Sequence, residues 1–406
     1  MIKTIDLFAG CGGLTEGFAQ TGLFETCACV EWESAQCRNL KKRLRDKWNI
    51  FDADDRVIRF DIQRTEELLH GFKDEEYGTS KGLIQLVGNQ LDLVIGGPPC
   101  QAYSVAGRIR DEFGMRNDYR NYLFESYLRV VQFFKPKAFV FENVPGILSA
   151  KPGDRTIVEM IQEQFSQAGY VIVDDLKKAV IDFTEYGIPQ RRKRVIILGI
   201  SKEHYGGKAN TLINSFYEEA LPSFRSESVR NLYSAIGDLP SLQPAGQVTN
   251  YQGVRTAHTV SDSTIKNHIC RYHNERDIKL FQLLAEDIET GSNKYTSIEA
   301  RKALYTSYTG KTSNIHKYNV LKWDEPSTTI PAHLCKDGLR HIHPDSKQAR
   351  TITVREAARI QTFPDDYEFI GSMTDAYKMI GNAVPPEFSR RLALALYKLL
   401  FSQNGA

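Results

Sequence analysis

The sequence predicts an α/β fold built on an open, mostly parallel sheet with helices on both faces, together with a second, smaller domain. Three observations predict it. Short apolar runs end abruptly at glycine, proline or a charged residue, as buried strands do, and stretches of helical periodicity separate them. A strand, a glycine loop and a helix open the chain. Finally, the sheet rhythm fades after Ile200 and an amphipathic helix closes the chain.

Thr4-Ile5-Asp6-Leu7-Phe8 is the first strand candidate and runs into Ala9-Gly10-Cys11-Gly12-Gly13, after which Leu14 to Gln20 reads as helix. A second strand, Thr26 to Val30, ends at Glu31-Trp32, about twenty residues beyond the loop, where an acid suits a ribose diol and an indole offers a flat face to adenine. The third position after Gly12 is Thr15, so the G-x-G-x-x-G dinucleotide pattern is broken and an adenosine ligand without a pyrophosphate fits better. Arg59-Phe60-Asp61-Ile62 is expected at a third strand end, with Asp61 able to accept the exocyclic amine of adenine.

The run Leu91 to Ile95 is closed by Gly96-Gly97-Pro98-Pro99-Cys100-Gln101, which holds a thiol at the mouth of the sheet. The polar stretch from Gln101 to Asp118, with Ser104 and Arg108, is too long for a simple connection and reads as a binding loop. Ala138-Phe139-Val140-Phe141 then delivers Glu142 to the same edge, and a carboxylate after a buried strand is costly unless paired or employed. Strands are expected over Val171-Ile172-Val173 and Lys178 to Ile181. In the extended segment before Val195, the alternation Gln190, Arg192, Arg194 predicts three side chains on one face.

These residues resemble one family, the cytosine-C5 DNA methyltransferases that use S-adenosylmethionine. Asp6 to Gly13 is similar to the family's cofactor loop, Gly97-Pro98-Pro99-Cys100-Gln101 to its Pro-Cys-Gln motif, Glu142-Asn143-Val144 to its Glu-Asn-Val motif and Gln190-x-Arg192-x-Arg194 to its Gln-x-Arg-x-Arg motif. Arg350 to Gln361 and Gly381-Asn382-Ala383-Val384-Pro385-Pro386 resemble its last two blocks. All six occur in the family's order over almost the whole chain. Cys11 occupies a variable loop position and Ala102-Tyr103 stand where Gly-Phe is frequent; neither departure removes a chemical group.

The resemblance implies a Rossmann-like methyltransferase sheet and an inserted target-recognition domain, with residues 1–200 as catalytic and cofactor-binding domain, 201–345 as target-recognition domain, 346–375 as hinge and 376–406 returning to the large domain. It also implies methyl transfer from S-adenosylmethionine to C5 of a cytosine flipped out of duplex DNA, leaving S-adenosylhomocysteine. Cys100 is the implied nucleophile at C6, Glu142 the partner of N3 and the exocyclic amine, and Arg192 with Arg194 stabilise the adduct. Implied cofactor contacts are Phe8, Gly10, Cys11, Gly13, Glu31, Trp32, Asp61, Ile62, Pro99, Leu123, Asn382 and Val384; implied DNA contacts are Gln101, Ser104 and Arg108. No side chain is an obvious base for the C5 proton, which leaves water. The expected setting is bacterial restriction-modification or phage defence, with double-stranded DNA and a cognate restriction endonuclease or defence proteins as partners, a monomer clasping DNA between two lobes. Alternatives are a tRNA cytosine-5 methyltransferase, whose Cys-Phe-Thr signature is absent, and a catalytically silent DNA-binding module.

Composition bounds the rest. The 406 residues carry a formal net charge of +2, so any basic surface for a polyanion must be local. No apolar run is long enough for a bilayer and the N-terminus lacks a signal-peptide core, so a cytoplasmic, nucleoid-associated protein is expected, without membrane contact. Seven cysteines without a C-x-x-C pair fit a reducing compartment. His268-x-Cys270-x-x-His273, His333-x-Cys335 and His341-x-His343 raise zinc as a question, but the spacing matches no zinc module and hydrogen-bonded or DNA-facing histidines are expected, with no metal. In the variable interval, Arg271, Arg276, Lys294, Lys302 and Lys311 are candidate DNA contacts. In the closing helix, Phe388, Leu392, Ala395, Leu396 and Leu399 should share the buried face.

Overall fold

A computed structural model describes residues 1–99, 123–151, 154–261, 264–314, 318–336 and 338–402. The chain divides into two compact units, one formed by residues 1–186, 192–227 and 383–406, the other by 187–191 and 228–382.

The first unit is organised by an eight-stranded sheet. Its strands are β1 (Ile2–Leu7), β2 (Phe24–Glu31), β3 (Val57–Arg59), β4 (Leu93–Gly96), β5 (Ala138–Asn143), β6 (Tyr170–Val171), β7 (Val180–Asp182) and β8 (Lys193–Ser201). The order across the sheet is β3-β2-β1-β4-β5-β8-β6, with β7 also paired to β8. The first five run parallel and β8 runs antiparallel to β5. The parallel strands are apolar on both faces because helices cover both, and the interior of β5 is fully buried from Ala138 to Phe141. In a sheet wound this way, side chains at the carboxyl ends of the parallel strands face one crevice.

Helix α1 (Gly13–Ala19) leaves the glycine loop and lies against the last helix, α2 (Pro386–Leu396). A Cβ on Gly17 would stand 2.4 Å from the carbonyl of Pro386, so only glycine permits this approach. The closing helix therefore returns to the side of the first strand. Its periodicity changes at a π turn over Tyr397–Phe401, which brings Leu400 rather than the expected Leu399 into the core. The expected strand at Lys178 also begins late: Leu176–Ala179 is a 3₁₀ turn started by the Asp175 side chain, and pairing starts at Val180. Of the expected strand at 171–173, only Val171 pairs, because the chain turns away from β8 after it.

The second unit contains a two-stranded antiparallel ribbon, β9 (Pro244–Tyr251) and β10 (Val254–His258), and helices over Glu275–Glu289, Ile298–Thr309, Val354–Ile360 and Met373–Asn382. Its centre is polar. Arg350, fully buried, is bidentate to Glu356 at 2.6 and 2.7 Å, and Glu356 also closes a capping box with Thr353. Arg355, also buried, donates to the carbonyls of Lys266, Pro364 and Tyr367. Five buried histidines sit around this centre, and burial lowers the pKa of each: His258 and His341 are pushed down to about 4, His273 and His343 to about 3, and His268 is shifted downward as well.

Candidate functional site

Two groups of side chains meet at the carboxyl edge of the parallel strands in the first unit. The first surrounds the glycine loop. After β1 the chain must turn back at once, and it does so with positive φ at Phe8 (61°), Gly10 (59°) and Gly12 (86°). The Gly10 N–H donates to Glu31 Oε2 at 2.9 Å, and the Glu33 N–H donates to Oε1 at 2.8 Å. Each Glu31 oxygen thus keeps a lone pair for one further donor, which is what a vicinal diol supplies. Burial raises the Glu31 carboxyl pKa, with the two backbone N–H groups opposing the rise.

Trp32 follows, 45% exposed, while the Phe60 N–H donates to the carbonyl of Glu31 at 3.1 Å and brings half-buried Asp61 and buried Ile62 to the same strand edge. Cys11 is buried within the loop. A Cβ on Gly13 would lie 2.3 Å from Val384 O and 3.0 Å from the Ala383 methyl, so the loop and the Ala383-Val384 segment are in direct contact. Beside Gly10, the buried amide oxygen of Gln36 accepts no hydrogen bond from any described residue. A buried acceptor of this kind suits a ligand carrying an N–H donor. A diol-ready carboxylate, an exposed aromatic face, a strand-end acid and an acceptor beside a glycine cradle fit an adenosine with a charged amino-acid tail.

The second group is the acid and the arginines. Gly96 pairs with Phe141 across β4 and β5, so the next residues, Gly97 and Glu142, face each other. A Cβ on Gly97 would stand 2.6 Å from Glu142 Oε2. The Asn143 amide donates to Pro98 O at 3.2 Å and ties the Gly-Pro-Pro turn to the strand that carries the acid. From the antiparallel neighbour β8, Arg194 Nε donates to Glu142 Oε1 at 2.9 Å, and both side chains are about 14% exposed or less (14% and 13%). Burial raises the Glu142 carboxyl pKa, and Arg194 and then Arg192 pull it back. Arg192 is itself fully buried, donates to Ala383 O at 3.1 Å, and is held well below the usual guanidinium range by burial and by the like charge of Arg194. Ala383 therefore links the arginine strand to the segment that touches the glycine loop.

The remaining expected residues fall as follows. Pro99 is exposed at the end of the Gly-Pro-Pro turn, Leu123 is buried at the start of the helix Leu123–Phe134, Val384 is buried in the first unit, and Asn382 is an exposed residue ending the second. Cys100, Gln101, Ser104 and Arg108 lie outside the described residues. Gln190 keeps the expected two-residue alternation, buried like Arg192 and with Arg194 partly buried, while Arg191 and Lys193 between them are exposed. Its amide donates to Gln361 Oε1 at 2.9 Å and accepts from the Ile330 N–H at 2.9 Å within the second unit, whereas Arg192 and Arg194 belong to the first. The Asn143 latch and the Arg192 bond to Ala383 were not readable in the sequence, since both join residues to backbone carbonyls that leave no compositional trace.

Among the described residues no group of three or more His, Cys, Asp or Glu side chains could hold a metal ion. His268 is bonded instead to Thr353 Oγ1 (3.0 Å) and Pro240 O (2.9 Å), His273 to Thr351, and His341 to Thr328. No described helix is long and apolar enough to cross a membrane.

The sequence profile of one family, described as C-5 cytosine-specific DNA methylase, matches residues 2–398. Among curated proteins, the chain is similar to Type II methyltransferase M.Bpa9945I of Bacillus paralicheniformis, at 36% identity over 97% of this chain and 98% of that protein. It is also similar to Type II methyltransferase M.DdeI of Desulfomicrobium norvegicum, at 30% identity over 97% and 88%. Among solved structures, the fold is shared with a protein described as a DNA modification methyltransferase encoded within an E. coli prophage (TM-score 0.64, 23% identity, 99% of this chain and 100% of that one). It is shared as well with the Dnmt2 methyltransferase of S. pombe (TM-score 0.55, 14% identity, 99% and 100%).

Proposed function

Because this chain belongs to the C-5 cytosine-specific DNA methylase family, and is therefore a DNA cytosine-5 methyltransferase, we propose a specific mechanism for its site: addition of the Cys100 thiolate to C6 of a flipped cytosine, with Glu142 and the two arginines managing charge on the ring. The observation that carries this reading is the arrangement at Glu142, paired to Arg194 at 2.9 Å and so close to Gly97 that a methyl group there would lie 2.6 Å from its carboxyl. The residue three places before Cys100 thus touches the proposed ring-binding acid.

C5 of cytosine is a poor nucleophile. The thiolate forms a bond to C6, and the electrons of the C5–C6 double bond move into the ring as far as N3. A protonated Glu142 gives its proton to N3 while its other oxygen accepts from the exocyclic amine. Burial favours the protonated form this step needs, and Arg194 and Arg192 stabilise the carboxylate left after the proton has gone. S-adenosylmethionine, when bound, supplies an electrophilic methyl group on a sulfonium. Phe8, Gly10, Cys11, Gly13, Glu31, Trp32, Asp61, Ile62, Pro99, Leu123, Asn382 and Val384 would hold it, with Glu31 on the ribose diol and Trp32 on the adenine face. After C5 has taken the methyl, water removes the C5 proton, the C5–C6 double bond re-forms as the Cys100 sulfur leaves as thiolate, and N3 returns its proton to Glu142.

A duplex buries C5, so the base must leave the stack at a cost of roughly a few kcal/mol. Gln101, Ser104 and Arg108 are the proposed residues at the opened helix. The biological setting proposed is restriction-modification or phage defence in the cytoplasm, with a cognate nuclease or defence protein as functional partner. The test is methyl transfer by the purified chain to duplex DNA and to tRNA, with bisulfite sequencing of the duplex product. Methylated cytosine within one duplex sequence is the expected result; transfer to tRNA alone, or to neither, overturns the proposal.

A further inference from the structure

In the ribbon β9–β10 of the second unit, β9 is the most exposed strand among the described residues. Every residue of β9 from Pro244 to Asn250 is exposed, including Val248 at 50%. The other strand roots it: Thr256, Ala257 and His258 are buried, His258 Nε2 donates to Gln348 O at 2.9 Å, and Gln243 and Thr259 exchange hydrogen bonds of 2.8 and 3.0 Å at its base. The tip is a two-residue turn with positive φ at Gln252 (48°) and Gly253 (79°), the geometry that follows the right-handed twist of a hairpin. The ribbon is thus a stiff projection and not a loose loop. An exposed edge strand invites an unwanted partner unless it has an intended one.

Its chemistry selects the partner. No Asp or Glu occurs between Asp238 and Asp262. The exposed polar side chains at and near the tip are three amides, Gln247, Asn250 and Gln252, the hydroxyl of Thr249, and Arg255, whose guanidinium lies 4.0 Å over the ring of Tyr272. Asn250 and Arg255 are directly opposed across the two strands and so share a face. A surface that served only the phosphate backbone would be rich in lysine. This one carries the groups that read base edges, amides for adenine and arginine for guanine, on an element of the width the major groove admits. The absence of carboxylates spares it repulsion from the polyanion.

We infer that the β9–β10 ribbon enters the major groove of the substrate duplex and that Asn250, Gln252 and Arg255 read bases of the recognition sequence. The inference rests on the proposed reaction at duplex DNA and adds the element and residues that choose the site. Stacking on Tyr272 preorders Arg255, which lowers the entropy lost on contact.

The test is methylation of a duplex library randomised around the wild-type site, read by bisulfite sequencing, for the full-length wild type and for N250A, Q252A and R255A. The ribbon's exposure predicts that all three melt as the wild type does. At least one should lose discrimination at a defined base pair by on the order of tenfold or more, with the other positions retained. Unchanged site preference in all three overturns the inference. So does an equal loss of affinity for every sequence with a shallower salt dependence, which marks phosphate contact alone. Failure of the wild type to methylate any duplex would instead sink the proposed reaction.

Discussion

Replacing Gly97 by alanine probes the proposed catalytic geometry with a single methyl group. The added Cβ would lie 2.6 Å from Glu142 Oε2, while ordinary contacts begin near 3.4 Å, so either the acid or the Gly-Pro-Pro turn must move by about 0.8 Å. The acid is held by Arg194 at 2.9 Å and the turn by Asn143 at 3.2 Å. Neither is free to yield without losing its partner. A misplacement of about 1 Å between reacting groups costs roughly a hundredfold in rate, so G97A should lower kcat by about that factor, equivalent to about 2.7 kcal/mol of barrier. Because the atoms nearest the added Cβ all belong to Glu142, and not to the residues proposed to hold the cofactor or to the ribbon, the Kd values for cofactor and for duplex should stay within about threefold. Radiolabelled methyl transfer under saturating substrate measures kcat, and fluorescence titration measures the two affinities. A G97A protein that turns over within threefold of wild type would refute the claim that this contact sets the site, as would a loss confined to binding.

Three further outcomes follow from the same contacts. Removing Arg194 (R194A) leaves Glu142 buried without its hydrogen-bonded cation; the acid's pKa should rise further, methyl transfer should fall by at least tenfold, and the pH at which the acid titrates in the rate profile should shift upward. In the second unit, R350M strands Glu356 in a dry interior, and urea unfolding should report a loss of about 3–5 kcal/mol, enough to disorder the ribbon's base through Gln348. The buried histidines predict acid sensitivity. With folded values near 3 to 4 against an ordinary value near 6.5, the unfolded chain binds more protons below pH 6.5. Stability is therefore complete above about pH 6.5 and declines as pH falls toward 4, by about 1 kcal/mol per histidine at pH 5.5; equal urea midpoints at pH 7.5 and 5.5 would contradict this.

What the sequence made legible is the part of the fold whose residues face the core. β1, β2, β4 and β5 are apolar because they are covered on both faces, and each ends where a glycine, proline or acid interrupts the run, so their carboxyl ends, and Glu31 and Glu142 with them, could be located from the pattern alone. The ribbon left no such trace. β9 is exposed along its length and has no buried face to impose alternation, so Pro244 to Tyr251 reads as loop. The alternation Gln190, Arg192, Arg194 was legible because buried and exposed positions take turns along the segment, even though the chain passes from one compact unit to the other within it. Contacts made to backbone carbonyls, such as Asn143 to Pro98 and Arg192 to Ala383, depend on tertiary neighbours that local pattern does not encode.

The central claim is that the sulfur of Cys100 bonds to the ring whose N3 Glu142 serves. Duplex DNA with 5-fluorocytosine at the target position tests it most directly, because fluorine at C5 cannot leave as the proton does and the ring stays attached after methyl transfer. With S-adenosylmethionine present, the wild-type protein should form a denaturant-resistant complex whose peptide mass assigns the link to Cys100, and E142Q should form it at least tenfold more slowly. A link at another residue, or efficient methylation of ordinary duplex by C100S, would contradict the account.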